Sequence, residues 1–373
     1  MKSASPLRDA GPAPIASAFA LPSDLLHITP LGQGNVNDTY LVQCTGGERV
    51  VLQRLNTRVF PRPAEVMANL SRLCAHSAGR PWPQADQPRR WDLPRLVPVR
   101  PERASAGGNS WLEQNGECWR MLTYVADSHS HDTLSTPEQA AEVGRALGGF
   151  HHLIHDLPCT ELHDTLPGFH VTPGYLEAYD RLERRHPADP AEAHCAAFIE
   201  ARRPLARVLE DALASGQLAL RPIHGDPKVN NVLFDSRSAR AVALVDLDTV
   251  KPGLLHYDIG DALRSACNRA GEECRDLGAV HFDLALARPL LAGYLELAGP
   301  ILSDADRALI PTAARLISFE LGLRFYSDHL NGNTYFKVQH PRHNLDRALV
   351  QFRLTESIEQ QERALEALVR ELG

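Results

Sequence analysis

One stretch limits the folds open to this chain more than any other. It runs Ile223-His224-Gly225-Asp226-Pro227-Lys228-Val229-Asn230-Asn231-Val232-Leu233-Phe234-Asp235, and Asp246 follows fifteen positions after Asn231. Asp246 closes an apolar run, Ala241-Val242-Ala243-Leu244-Val245. The pattern is H-x-D-x-x-x-x-N, a short strand, a turn, a second strand and then Asp, so that Asp246 closes the site from the strand adjacent to Asn231. Taken singly, each of these residues reads as a turn former or a strand cap; the joint spacing carries the chemistry. Asp226 can orient and deprotonate an attacking hydroxyl, while Asn231 and Asp246 offer the hard oxygen ligands that Mg²⁺ prefers. Lys228, two positions after Asp226, can stabilise developing negative charge. Asp248 can back up the metal, touch substrate or shape the loop, and Asp258 reads as structural, holding the catalytic loop through backbone bonds. Such a set suits phosphoryl transfer, which needs positioning and charge neutralisation more than covalent help.

Composition excludes several other classes. The 373 residues suffice for one large or two ordinary domains, and 43% hydrophobic with 23% charged residues is ordinary for a globular protein. A net charge of -7 argues against nucleic acid as a general partner. The seven cysteines form no C-x-x-C pair, which fits a reducing cytoplasm better than a disulfide framework or a zinc site. Residues 1–20 are interrupted by Lys2, Arg8, Pro12 and Pro14 and read as a flexible tail, and no apolar run reaches the ~18 residues of a membrane span.

Residues 21–125 read as a small antiparallel lobe. Gly32 and Gly34 precede a strand, Thr39 to Val42, and glycines there let backbone N–H groups approach phosphate. Val50 to Leu55 is the next strand. Protein kinases place a phosphate-binding lysine on it; here only Gln53 or Arg54 is available, on opposite faces of the strand. Ala64 to Leu73 has helical spacing, with Glu65 as an ion-pair partner or a dipole-end carboxylate. Leu96 to Val99 suits a short edge strand, and Asn115-Gly116 joins two strands as a hairpin. Tyr124 and Val125 then form the connection where a kinase-like backbone meets adenine.

Residues 126–373 read as a larger, mostly helical lobe. Thr136-Pro137-Glu138-Gln139 starts a helix. His151, His152 and His155 lie on it but lack the companion ligands of a metal site. Residues 174–216, 280–297 and 304–330 read as further helices, Asp258 as the N-cap of another, and His343 as the start of a closing one.

The order His224-Gly225-Asp226 to Asn231, Val245-Asp246-Leu247-Asp248 and Tyr257-Asp258-Ile259-Gly260-Asp261 resembles the aminoglycoside phosphotransferase and choline kinase superfamily. Gly34 to Tyr40, Val51 to Asn56, Asp246 to Gly253, Tyr335 to Val338 and His343 to Ala348 look closer to its bacterial N-acetylhexosamine 1-kinases. The resemblance implies an α+β, two-lobed protein-kinase-like fold. It further implies ATP and Mg²⁺ as cofactors and transfer to the anomeric hydroxyl of N-acetylglucosamine or N-acetylgalactosamine. Lys228, Arg324 and Tyr335 match that branch's sugar-holding lysine, arginine and tyrosine.

Other readings share the fold: a kinase of an aminoglycoside, choline, homoserine or a neutral sugar, or a non-catalytic pseudokinase. Choline sites need aromatic cages, against which 6% aromatic residues weighs. Retention of Asp226, Asn231 and Asp246 weighs against a pseudokinase. The expected partners are a sugar and ATP, without nucleic acid or membrane; the sequence leaves the oligomeric state open.

Overall fold

The computed structural model describes residues 11–32, 36–83, 89–104, 110–182 and 189–373. The chain divides into two compact units, one of Met1–Ala78 with Asp92–Ala126, the other of Gly79–Trp91 with Asp127–Gly373.

The first unit holds a short helix α1 (Pro12–Ala16), strands β1 (Leu25–Pro30), β2 (Asp38–Cys44) and β3 (Arg49–Leu55), helix α2 (Pro63–Ser77), and strands β4 (Leu112–Gln114) and β5 (Glu117–Thr123). The five strands form one antiparallel sheet in the order β1-β2-β3-β5-β4. Alternation does this: Val42, Val50, Leu52 and Met121 enter a core with Ile15, Phe19, Val97 and Val99. The β4–β5 hairpin turns at Asn115 and Gly116, with φ of 56° and 76°, as its Asn-Gly pair demands. Pro63 starts α2, which buries Val66, Met67, Leu70 and Leu73 at helical spacing.

Two expectations change here. Of the tail expected over residues 1–20, residues 1–10 lie outside the described residues and residues 11–20 are not a tail: Ile15, Ala16, Ala18 and Phe19 are buried, Ala20 N–H donates to Pro98 O, and Arg100 N–H donates to Ala18 O. The apolar residues between the prolines had more to gain in the core than in water. The edge strand expected at 96–99 shrinks to isolated bridges, Leu96 with Leu122 and Phe19 with Val99, because Pro98 has no N–H to continue a ladder.

The second unit runs β6 (Ser128–His129), α3 (Pro137–Ile154), α4 (Thr172–Arg181), α5 (Pro190–Arg202), α6 (Val208–Ala214), β7 (Arg221–Ile223), β8 (Val232–Asp235), β9 (Ala241–Leu244) and β10 (Lys251–Gly253). Helices α7 (Leu255–Ala266), α8 (Leu284–Ala298), α9 (Asp304–Ala308), α10 (Ile310–Leu330), α11 (His343–Gln360) and α12 (Glu362–Leu372) complete it. Strands β6-β8-β9 make one sheet and β7-β10 a second. Thr136 and Gln139 form the capping box of α3. Glycines let α3 and α8 touch along their backbones: a Cβ at Gly144 would lie 1.9 Å from Leu290 O.

Gly79–Trp91, assigned to the first lobe by sequence, belongs to this unit. Trp82 and Trp91 pack with ring centroids 4.2 Å apart and planes tilted by 38°, Arg80 pairs with Asp156, and Arg89 pairs with Glu142 on α3. The helical stretch expected at 174–216 is three helices, and that at 304–330 breaks between α9 and α10. Helix α7 starts at Leu255, one turn before the N-cap expected at Asp258, and the Asp258 carboxylate bonds the His224 and Gly225 N–H groups rather than capping the helix.

Candidate active site

Strand β7 delivers the chain into residues 224–231, and Asp258, with no exposed surface, fixes the turn from below. Its carboxylate accepts the N–H of His224 at 2.7 Å and of Gly225 at 2.8 Å. His151 Nε2 lies 2.8 Å from Asp258 Oδ2, and its Nδ1 lies 3.0 Å from Tyr294 OH. The three α3 histidines are thus structural in their contacts: His152 Nδ1 meets Leu297 O, and His155 Nδ1 meets His152 O. Gly225 has φ +86°, and a Cβ there would lie 2.5 Å from Thr249 O, so any other residue is strained.

His224 ties this loop to the strand before Asp246. Its Nε2–H donates to Val245 O at 3.1 Å, and its Nδ1 accepts Asp226 N–H at 3.3 Å. These bonds need the neutral ring, and burial lowers the His224 pKa in the same direction. Val245 N–H donates to Asn231 O at 2.9 Å, which brings Asp246 alongside. Asp246 itself has φ 67° and ψ 57°, a left-handed conformation that a non-glycine residue holds at a cost.

The loop gathers three expected residues in direct contact. Asn231 Nδ2 donates to Asp226 O at 2.7 Å and to Asp226 Oδ2 at 3.0 Å. Lys228 Nζ donates to the same Oδ2 at 2.6 Å. Burial works against the Lys228 charge, but the carboxylates of Asp226 and Asp246 outweigh it and raise the pKa above the ordinary lysine range.

The donor set fits a Mg²⁺. Asn231 spends its N–H groups on Asp226, and its Oδ1 accepts no hydrogen bond among the described residues. Among the described residues no three or more His, Cys, Asp or Glu side chains gather to hold a metal. Mg²⁺ differs from zinc here: it is held by one or two carboxylates together with phosphate and water, which Asn231 and Asp246 match.

Arg324 lies on α10 with its side chain 12% exposed. Three rings face its guanidinium, Phe169 at 5.0 Å, Tyr175 at 5.0 Å and Phe336 at 5.5 Å. The nearest carboxylate is Glu320 at 3.9 Å, and no hydrogen bond leaves the guanidinium among the described residues. Burial opposes this charge, while Tyr175, Glu320, Tyr335 and Asp226 raise the pKa further, which sets Arg324 in the same field as the candidate base. Tyr335 is 57% exposed and meets Phe336 edge-on at 4.8 Å. Its loop is anchored by Asp328, whose carboxylate accepts the N–H groups of Thr334, Tyr335 and Phe336 at 2.8 to 2.9 Å.

Sequence reasoning missed Phe169, His170, Tyr175, Glu320 and Phe336. Glu320 had one legible signal, its place one turn before Arg324 on a helix. Burial pushes the Tyr175 phenol up to about 12, so it remains a neutral donor.

In the first unit, Gly32 has φ +70°, and Gly34 lies outside the described residues. Gln53 and Arg54 point to opposite faces. Gln53 Oε1 accepts Nε–H and Nη2–H of Arg120 at 3.0 and 2.8 Å, and its Nε2 donates to Thr39 Oγ1 at 3.1 Å. Arg120 is 1% exposed. Arg54 pairs outward with Asp38 and Glu117. Glu65 pairs with Arg62 at 2.9 Å, not with a strand cation. Tyr124 receives the Arg49 guanidinium 4.5 Å above its ring, and Val125 is buried.

A family model, "Phosphotransferase enzyme family", matches residues 27–294. The chain belongs to this family. Solved structures of similar fold include a microcompartment-associated aminopropanol kinase, 18% identical over 95% of this chain and 97% of that one, with a TM-score of 0.64. An aminoglycoside phosphotransferase from Alicyclobacillus acidocaldarius is 15% identical over 99% and 98%, with a TM-score of 0.64. A Plasmodium vivax ethanolamine kinase is 13% identical over 91% and 84%, with a TM-score of 0.56. At such identities the likeness establishes the two-lobed, protein-kinase-like α+β fold, and this phosphotransferase takes its small-molecule kinase character from its family.

Proposed function

We propose that this phosphotransferase is an ATP- and Mg²⁺-dependent kinase that phosphorylates the anomeric hydroxyl of an N-acetylhexosamine. Asp226 orients and deprotonates the hydroxyl. Asn231 and Asp246 hold the cation, which neutralises charge on the triphosphate. Lys228 keeps its proton beside Asp226 and stabilises the oxygen that gains charge. Gly32, Gly34, Gln53 or Arg54, and the backbone at Tyr124 and Val125 serve the nucleotide. Absence of a disulfide among the seven cysteines supports a cytoplasmic setting, and among the described residues no helix is long and apolar enough to cross a membrane.

The observation that carries the acceptor is Arg324, a largely buried guanidinium with aromatic faces around it and, among the described residues, its N–H groups unspent. Such a group donates to carbonyl or hydroxyl oxygens and repels an ammonium. An N-acetyl carbonyl with ring hydroxyls suits it, and the exposed Tyr335 offers an aromatic face for a sugar. The names of similar structures favour a second reading, an amino-alcohol acceptor. The protein should therefore be incubated with Mg-ATP and a panel of N-acetylhexosamines, neutral sugars, amino alcohols and aminoglycosides. ADP release is followed, and ³¹P NMR locates the phosphate. The proposal expects a sugar 1-phosphate; turnover confined to amines would replace it with the second reading.

A further inference from the structure

A buried polar chain runs from the catalytic loop to Arg324, and His170 is its centre. His170 Nε2 lies 3.0 Å from Gly225 O, and its Nδ1 lies 2.9 Å from Glu320 Oε1. Glu320 Oε2 accepts the hydroxyl of Thr172 at 2.7 Å, and Glu320 Oε1 is 3.9 Å from Arg324. With Glu320 held ionised by the groups around it, a carbonyl and a carboxylate only accept, so both ring nitrogens donate and His170 is an imidazolium. The ring lies against Phe169 at 4.0 Å and stacks on Tyr257 at 5.5 Å. Its backbone is strained, with φ 66°, and Lys251 ties down the preceding residues through Leu166 O and Phe169 O.

We propose that His170 and Glu320 are positioning residues. The His170 imidazolium grips the Gly225 carbonyl, and so the Asp226 side chain one residue on, while Glu320 steadies the Arg324 guanidinium from the same carboxylate. Acceptor hydroxyl and base are thereby held in one register. Buried charges of this kind add little to stability compared with apolar packing, which leaves geometry as their use. The charged and titratable groups around His170 are Glu320 and Arg324 on α10, Asp261 and Tyr257 on α7, Tyr175 on α4, and Lys251 on β10. Burial disfavours the His170 charge, but Glu320 and Asp261 outweigh it, against Arg324, and the pKa is raised.

The acceptor part rests on the reading of Arg324 given above, so the test has two arms on the full-length protein. The first is ¹⁵N NMR of the His170 ring without any acceptor. The proposal expects an imidazolium at neutral pH in wild type and a neutral ring in Glu320→Gln. The second is kinetics of Glu320→Gln and His170→Gln with whichever alcohol the panel shows to react. Acceptor kcat/KM should fall about 10- to 100-fold, as for a small misplacement of reacting groups, with the KM for ATP unchanged. The alkaline fall in kcat should move to lower pH in Glu320→Gln. A neutral His170 ring in wild type, or folded variants with unchanged acceptor kcat/KM, overturns the proposal. Should His170→Gln not fold, the isosteric Glu320→Gln carries the kinetic arm.

Discussion

Lys228 holds its ammonium 2.6 Å from Asp226 Oδ2, the oxygen that also receives the Asn231 amide. A base so encumbered cannot swing; its free oxygen is the one left for a substrate hydroxyl. Asp226→Asn should lower kcat by about 10²–10⁴-fold, the range for removing a general base, while nucleotide binding persists. Lys228→Met should cost about 10²–10³-fold, as for loss of one electrostatic donor. Steady-state rates together with calorimetric nucleotide binding check both, and full activity in Asp226→Asn would remove that residue from the base role.

Gly225 carries the loop through φ +86° against Thr249. Gly225→Ala should destabilise by about 1–3 kcal/mol for the strained backbone, and shift Asp226 enough to reduce turnover. Urea denaturation and rate measurements on the same preparation would show it. An alanine variant with unchanged midpoint and rate would mean that the turn relaxes freely.

Gln53 and Arg54 can be separated by their surroundings. Gln53→Ala removes an acceptor from the buried Arg120 guanidinium and should cost about 3 kcal/mol. Arg54→Ala breaks half-exposed pairs with Asp38 and Glu117 and should cost within about 1 kcal/mol. If Gln53 presents its amide to the triphosphate, the KM for ATP should rise in Gln53→Ala and stay put in Arg54→Ala. The reverse pattern would hand the nucleotide role to Arg54.

Legibility followed sequence distance. Asp226, Lys228 and Asn231 sit within one loop, and Asp246 returns on a hairpin, so spacing alone placed them. The Asp258 bonds to the loop were expected from the sequence, while the N-cap also expected there was not found, since the helix starts at Leu255. The His170–Glu320 pair spans 150 positions, and no local pattern announces it. Proline content hid α1 and the segment after it, where burial of Ile15 and Phe19 outweighed the breakers around them. Arg324 and Tyr335 were legible through family resemblance alone, and their aromatic surroundings were not.

The buried His170–Glu320 pair also predicts a pH dependence of stability with a definite sign. The folded pKa of His170 is raised, so its contribution is fully present below the unfolded value of about 6.5 and is lost as pH rises through the folded value. The Glu320 pKa is lowered: burial opposes its charge, but His170, Arg324 and Thr172 outweigh that. Its contribution is present above about 4.3 and is lost as pH falls through the folded value. The stability advantage of wild type over Glu320→Gln should therefore peak between about pH 4.3 and 6.5 and shrink on either side. Urea midpoints of both proteins across that range measure the difference directly. A difference that does not vary with pH would show that the pair is not ionised in the folded chain.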